Sequence, residues 1–245
     1  MAIIYSPPLL VLLGLTPSLF WLFLYLRKDL HPEPRSLIIK VFFMGIVIAP
    51  LAVIFQWLTL GTGKFFNPDF QSSESILFFL IAAFIEEVVK YLAVRFTVLN
   101  NADFDEPVDA MIYMIIAALG FAGIENILVL FKTLGDITTE NPYIIFQVLG
   151  LRFVGATLLH ALSSAIAGYF LAMSWFYSHH SKKLVTFGIL IATLFHTTFN
   201  IIILKSALNQ DISFYLMPLL IFMAILISIL FNRLKKRRLV NTIEY

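Results

Sequence analysis

The stretch ILFFLIAAFIEEVVKYLAVRFTVL, residues 76–99, is long enough to cross a bilayer, yet it carries Glu86, Glu87 and Lys90 within five positions. About 20 predominantly apolar residues read as a transmembrane helix. An ionised side chain at its centre costs about 2.5 to 3.5 kcal/mol even on the lenient insertion scale. Charges on such a helix face a partner or a function, and lipid is excluded as their surroundings.

The rest of the chain repeats the apolar character without the charges. Of its 245 residues 60% are hydrophobic, 13% are charged and 25 are Phe, with a mean hydropathy of +0.91, far from the balance of a soluble domain. Apolar runs fall near 3–26, 37–59, 76–99, 108–132, 143–177, 184–205 and 213–232. The expected fold is therefore all-α, a polytopic transmembrane helical bundle of about seven to eight spans. It forms a single membrane-embedded domain over 1–245 with a basic tail at 233–245. The fifth run exceeds what one tilted helix needs, so its start, around Pro142 to Gly150, is expected at the interface, with Gly150 or Gly155 allowing a bend.

Loop charges orient the bundle. With seven spans, one set of loops collects twelve basic residues, among them Arg27, Lys28, Arg35, Lys182, Lys183 and the cluster Arg233 to Arg238. The other set collects four: Lys64, Lys132, Arg152 and Lys205. The positive-inside rule then puts the N-terminus outside and the C-terminus in the cytoplasm. The first run reads as a retained span with Arg27 and Lys28 behind it, not as a cleaved signal. Cysteine is absent, which excludes disulfides, thiolate nucleophiles and cysteine-ligated zinc. The net charge of +2 lies in loops and tail; it suits a lipid surface and gives no sign of a nucleic-acid partner.

Inside the spans the polar residues are Glu86, Glu87 and Lys90, then Glu125 and Asn126, then His160 with Ser163 and Ser164, then His196 and Asn200. Counted from the expected outer helix ends, Glu86, Glu125, His160 and His196 lie roughly 10 to 17 Å deep, in one layer, so one shared site in the outer half is the economical reading. His196 and Asn200 share a helix face, as do Glu86 and Lys90. Glu86 and Glu87 point about 100° apart: one pairs with Lys90 while the other faces the reaction centre, and spacing alone assigns neither. Elsewhere, His179 and His180 read as solvated, the Asp29–Arg35 loop as a stiff connection, and Pro107 to Asp109 as a helix start.

A buried carboxyl among other acids is able to hold or release a proton near neutral pH, which suits a general base. Such a Glu takes a proton from water, hydroxide attacks a peptide carbonyl, and the proton passes to the leaving amine. Imidazole and amide groups stabilise the oxyanion. His160, His196, Glu87 and Glu125 are equally a sensible zinc set, although HExxH is absent and metal-free water activation ranks slightly ahead. A serine mechanism through Ser163 or Ser164 is weaker, since no glycine-rich nucleophile turn surrounds them.

Four blocks in order, Glu86-Glu87-Val88-Val89-Lys90, Gly120-Phe121-Ala122-Gly123-Ile124-Glu125-Asn126, His160 with Gly168 and Tyr169, and His196-Thr197-Thr198-Phe199-Asn200, resemble the successive motifs of the PrsW family of intramembrane proteases. The Asp29…Pro32-Glu33-Pro34 loop and Pro107…Asp109 resemble its pattern too. The wider group includes CAAX prenyl endopeptidases, bacteriocin-processing proteins and, more distantly, the APH-1 subunit of γ-secretase. The resemblance implies a prokaryotic cell-membrane protease similar in role to site-1 proteases, which cut a single-span anti-sigma factor on its extracytoplasmic side. It implies Glu86 and Glu87 as essential acids and His160 as a catalytic or ligand histidine. Glu125, Asn126, His196 and Asn200 would support them, and the family has been described both as metalloprotease and as metal-independent. Two other classes stay open on the residues alone: a proton-coupled transporter, for which repeat symmetry is not evident, and a non-catalytic membrane scaffold or chaperone.

Overall fold

Seven long helical segments follow the apolar runs in the computed structural model, which describes residues 6–27, 32–66, 75–136, 143–206 and 208–241. They are α1 (Pro7–Leu26), α2 (Arg35–Phe66), α3 (Ile76–Thr97), α4 (Pro107–Asp136), α5 (Tyr143–Leu151) continuing into α6 (Thr157–Phe176), α7 (Ser181–Ser206) and α8 (Leu216–Asn241). Six segments are long and apolar enough to cross a membrane, and α3, at 22 residues, matches them in length while carrying the three charges. Helices are the expected solution, because an α-helix satisfies its backbone internally where lipid offers no hydrogen bonds. Among the described residues there is no strand.

The fifth run changes helix type at the stretch that contains Gly155. Between α5 and α6 the chain makes a single π-turn, Arg152–Ala156, in which the Thr157 N–H donates to the Arg152 carbonyl five residues back. Arg152, assigned to a loop by charge counting, therefore sits within a helix. Of the basic tail, residues 233–241 are helical, since α8 runs to Asn241. At its basic end the Arg237 guanidinium lies over Phe176, 5.3 Å from the ring centre and within the about 6 Å reach of a cation–π contact.

Helix starts follow local chemistry. Ser75 caps α3 by accepting from Phe78 N at 3.2 Å. At α4 Pro107 takes the first position and Asp109 reaches back to accept from Glu106 N at 2.8 Å and Asp105 N at 3.2 Å. Of the Asp29–Arg35 loop, residues 29–31 fall outside the described residues, but Glu33 is more than a connector: it is buried and accepts from the Tyr113 hydroxyl on α4. His179 and His180 are exposed as expected.

Helix α4 is the axis of the bundle, buried almost all round from Ala110 to Ala122, as befits an apolar helix without a wet face. It packs against α1, α2 and α6, while α3 and α7 close the far side. Small residues let the helices approach in lipid. The tightest approach is reciprocal: a Cβ on Gly45 would stand 2.2 Å from the Ala117 carbonyl oxygen, and one on Gly120 would stand 2.1 Å from that of Phe42. Backbone cannot yield as a side chain does. Gly45→Ala and Gly120→Ala are therefore each expected to cost about 1 to 3 kcal/mol or more by overpacking, read as a lowered midpoint of thermal unfolding in detergent. Gly61→Ala, where a Cβ meets nothing within 4 Å, should leave the midpoint unchanged.

Candidate active site

Five elements bring their polar side chains to one level. Glu86 lies ten residues past the start of α3 at Ile76, Glu125 eleven before the end of α4 at Asp136, and His196 ten before the end of α7 at Ser206. His160 enters from the first turn of α6. A fifth residue not anticipated from sequence, Gln56, lies ten before the end of α2 at Phe66.

The two adjacent glutamates have separate roles, as their angular offset requires. Glu87 is fully buried and fully partnered. Its Oε1 accepts from Lys90 Nζ at 2.7 Å and Ser163 Oγ at 3.0 Å and lies 3.0 Å from His196 Nδ1, while Oε2 accepts from Ser164 Oγ at 2.8 Å. The two serine hydroxyls thus serve as donors to a carboxylate. Glu86 is held by one oxygen only: Oε1 accepts from Gln56 Nε2 at 2.9 Å. Its Oε2 is buried without a hydrogen-bond partner, 3.6 Å from His196 Nε2 and 3.9 Å from both His160 Nδ1 and Lys90 Nζ.

The histidines are each gripped from behind by a carboxylate. His160 Nε2 lies 2.7 Å from Glu125 Oε2, and its Nδ1 lies 2.8 Å from Lys90 Nζ. An ionised carboxylate only accepts and an ammonium only donates, so a neutral His160 carries its proton on Nε2 and turns the Nδ1 lone pair inward. By the same reasoning His196 is protonated on Nδ1, facing Glu87, and presents Nε2 to Glu86. The rings meet edge to face, centroids 4.9 Å apart. Phe121 lies under the lysine, 4.8 Å from Nζ to the ring centre.

The sequence-derived set is thus largely assembled: Glu86, Glu87, Lys90, Glu125, His160 and His196 form one cluster. Asn126 supports it from the side, donating to Gly14 O at 3.2 Å and Thr157 Oγ1 at 3.1 Å. Asn200 does not join. It is half-buried one turn beyond His196, and among the described residues no hydrogen bond ties it to the cluster. Arg152 joins unforeseen, donating from Nη2 to Glu125 Oε2 at 3.0 Å and from Nε to Asn126 Oδ1. Its signal was present as a charge inside a long apolar run, and that of Gln56 as the one amide of α2.

One oxygen of Glu86 and one nitrogen each of His160 and His196 lie within 4.8 Å of one another. This trio differs from the set expected by composition, because Glu87 and Glu125 stand behind the histidines while Glu86 stands before them. Three protein ligands with carboxylates on the outer imidazole nitrogens are the donor pattern of a catalytic zinc site.

A buried, hydrogen-bonded glutamate and histidine centre lies inside a helical membrane bundle, and comparison with known proteins gives its class. The model of the PrsW family of intramembrane metalloproteases matches residues 33–229, and the chain belongs to that family. It is 32% identical over 223 residues to Protease PrsW of Oceanobacillus iheyensis, covering 91% of this chain and 93% of the relative. It is 28% identical over 219 residues to Protease PrsW of Bacillus subtilis, covering 86% and 88%. No solved structure matches the chain. The protein is a multi-pass membrane protease.

Lys90 and Glu87 form an ion pair with no exposed surface. Breaking such a pair from one side costs about 3 to 5 kcal/mol, because it strands a buried charge. Lys90→Met is accordingly expected to lower the thermal midpoint in detergent strongly. The double variant Lys90→Met with Glu87→Gln should recover part of the loss, and additive losses would contradict the pairing.

Proposed function

We propose that this protease hydrolyses a peptide bond of a single-span membrane protein near the extracytoplasmic boundary, in the manner of a site-1 protease acting on an anti-sigma factor, with Glu86 activating the water. The observation that carries the mechanism is the buried Glu86 Oε2, which has no hydrogen-bond partner and lies 3.6 Å from His196 Nε2 and 3.9 Å from both His160 Nδ1 and Lys90 Nζ. The position of the polar layer, ten or eleven residues from the helix ends, together with the bias of basic residues toward the opposite loops, supports a cut on the outer side.

In this reading Glu86 takes a proton from water as the oxygen attacks the scissile carbonyl carbon. The same carboxyl then gives that proton to the leaving nitrogen as the C–N bond breaks. Lys90 supplies positive charge to the oxyanion in a site with little water, and His196 donates from Nε2 when it is protonated on both nitrogens. Gln56 fixes the carboxylate by its other oxygen, leaving Oε2 for the reaction. Glu87 holds Lys90 and His196 in place and takes no proton in the cycle.

The family description names a metal, and the residues fit one. Glu86, His160 and His196 would hold it, with Glu87 and Glu125 orienting the histidines. A zinc ion there supplies Lewis-acid polarisation of the carbonyl and acidifies water. Binding requires Lys90 to leave His160 Nδ1, where it now lies at 2.8 Å.

Cleavage of single-span reporters by purified protein in liposomes tests both levels. Glu86→Gln, nearly isosteric, is expected to abolish cleavage while the thermal midpoint changes little; wild-type turnover by this variant would sink the assignment. A chelator arm on the wild type separates the two chemistries. Persisting cleavage assigns water activation to Glu86 alone, and loss restored by added zinc assigns Glu86 as a ligand.

A further inference from the structure

We infer that Arg152 is a positioning residue of the site and that the π-turn carrying it sets the orientation of His160. The inference rests on the protease reading for its consequence but on the geometry of the turn for its content. Arg152 contributes two donors of its planar fork, one to Glu125 Oε2 at 3.0 Å and one to Asn126 Oδ1, a bidentate arrangement that a lysine cannot reproduce. The same Glu125 oxygen receives His160 Nε2 at 2.7 Å. Fixed by Arg152, it accepts the imidazole proton at Nε2 and so, with Lys90 Nζ 2.8 Å from Nδ1, sets the orientation of the ring.

The turn explains why an arginine can be there. An α-helix through residues 152–157 would place Arg152 about 100° further round for each residue added or removed. The extra residue of the π-turn brings the guanidinium onto the α4 face, and such single turns recur at functional sites. The position is also clamped from outside: Trp21 Nε1 on α1 donates to the Phe153 carbonyl at 2.8 Å, and Asn126 ties the same region to Gly14 and Thr157. Arg152 and Glu125 are the part of the charged network with access to the surface, their side chains 17% and 30% exposed.

The test uses the full-length protein with nitrogen-15-labelled histidine in nanodiscs, in wild type, Arg152→Gln, Arg152→Lys and a deletion of Val154, a residue 42% exposed on the turn. His160 signals are assigned by their loss in His160→Gln. Wild type is expected to show the single Nε2–H tautomer. Arg152→Gln should shift or broaden the His160 nitrogen-15 resonances and lower kcat at least tenfold with KM changed less than threefold, and Arg152→Lys should restore part of both. Deletion of Val154 should reproduce Arg152→Gln while the thermal midpoint shows a folded protein. An unchanged His160 spectrum in Arg152→Gln overturns the inference whether or not the protein cleaves a reporter. An altered spectrum with no cleavage by the wild type supports the positioning role and counts against the protease reading alone.

Discussion

Everything at the centre of this protein depends on one buried ion pair. Glu87 and Lys90 sit on successive turns of α3 with no exposed side-chain surface, and lipid offers neither of them a substitute partner. The carboxylate must therefore collect donors from protein, and it does so from Ser163 and Ser164 on α6 and from His196 on α7. Helix packing around α3 follows from that demand. So does the state of its neighbour: Glu86, about 100° round the helix, is left with a single donor and a free oxygen.

Helix α4 performs two tasks on adjacent turns. Gly120 lets the α2 backbone come within contact, and Phe121 lies beneath Lys90. One turn further on, Glu125 grips His160 and Asn126 reaches α1 and α6. Close packing and the orientation of the histidine are consequences of the same short stretch, residues 120–126. Precision there is affordable because the surrounding helix is buried on nearly every side and has little freedom to adjust.

Much of this was legible in the sequence for a plain reason: in lipid, helices are compulsory and a polar residue stands out. The runs located the helices, and depth counting located the layer of Glu86, Glu125, His160 and His196. Spacing could not decide between Glu86 and Glu87, because the choice depends on which neighbour helix each meets. Arg152 was misread because charge counting treats any arginine near a run's beginning as a loop residue, and a π-turn leaves no periodic signature in five residues. Asn200 was included by its i, i+4 relation to His196, yet one turn along α7 was enough to carry it past the cluster. Gln56 was overlooked because a neutral amide at the end of an apolar run resembles an ordinary interfacial residue.

The length of α2 has a consequence of its own. Its 32 residues span about 48 Å, against a hydrocarbon thickness of about 30 Å. Its apolar run, 37–59, accounts for about 35 Å of that length, close to what a tilted span takes up, and Lys64 stands in the remainder. Gln56 rides on this helix and holds Glu86 directly. The residue that fixes one oxygen of the reactive carboxyl thus stands on a helix longer than the hydrocarbon is thick, so its depth is set by how α2 sits in the membrane as well as by the packing around α3.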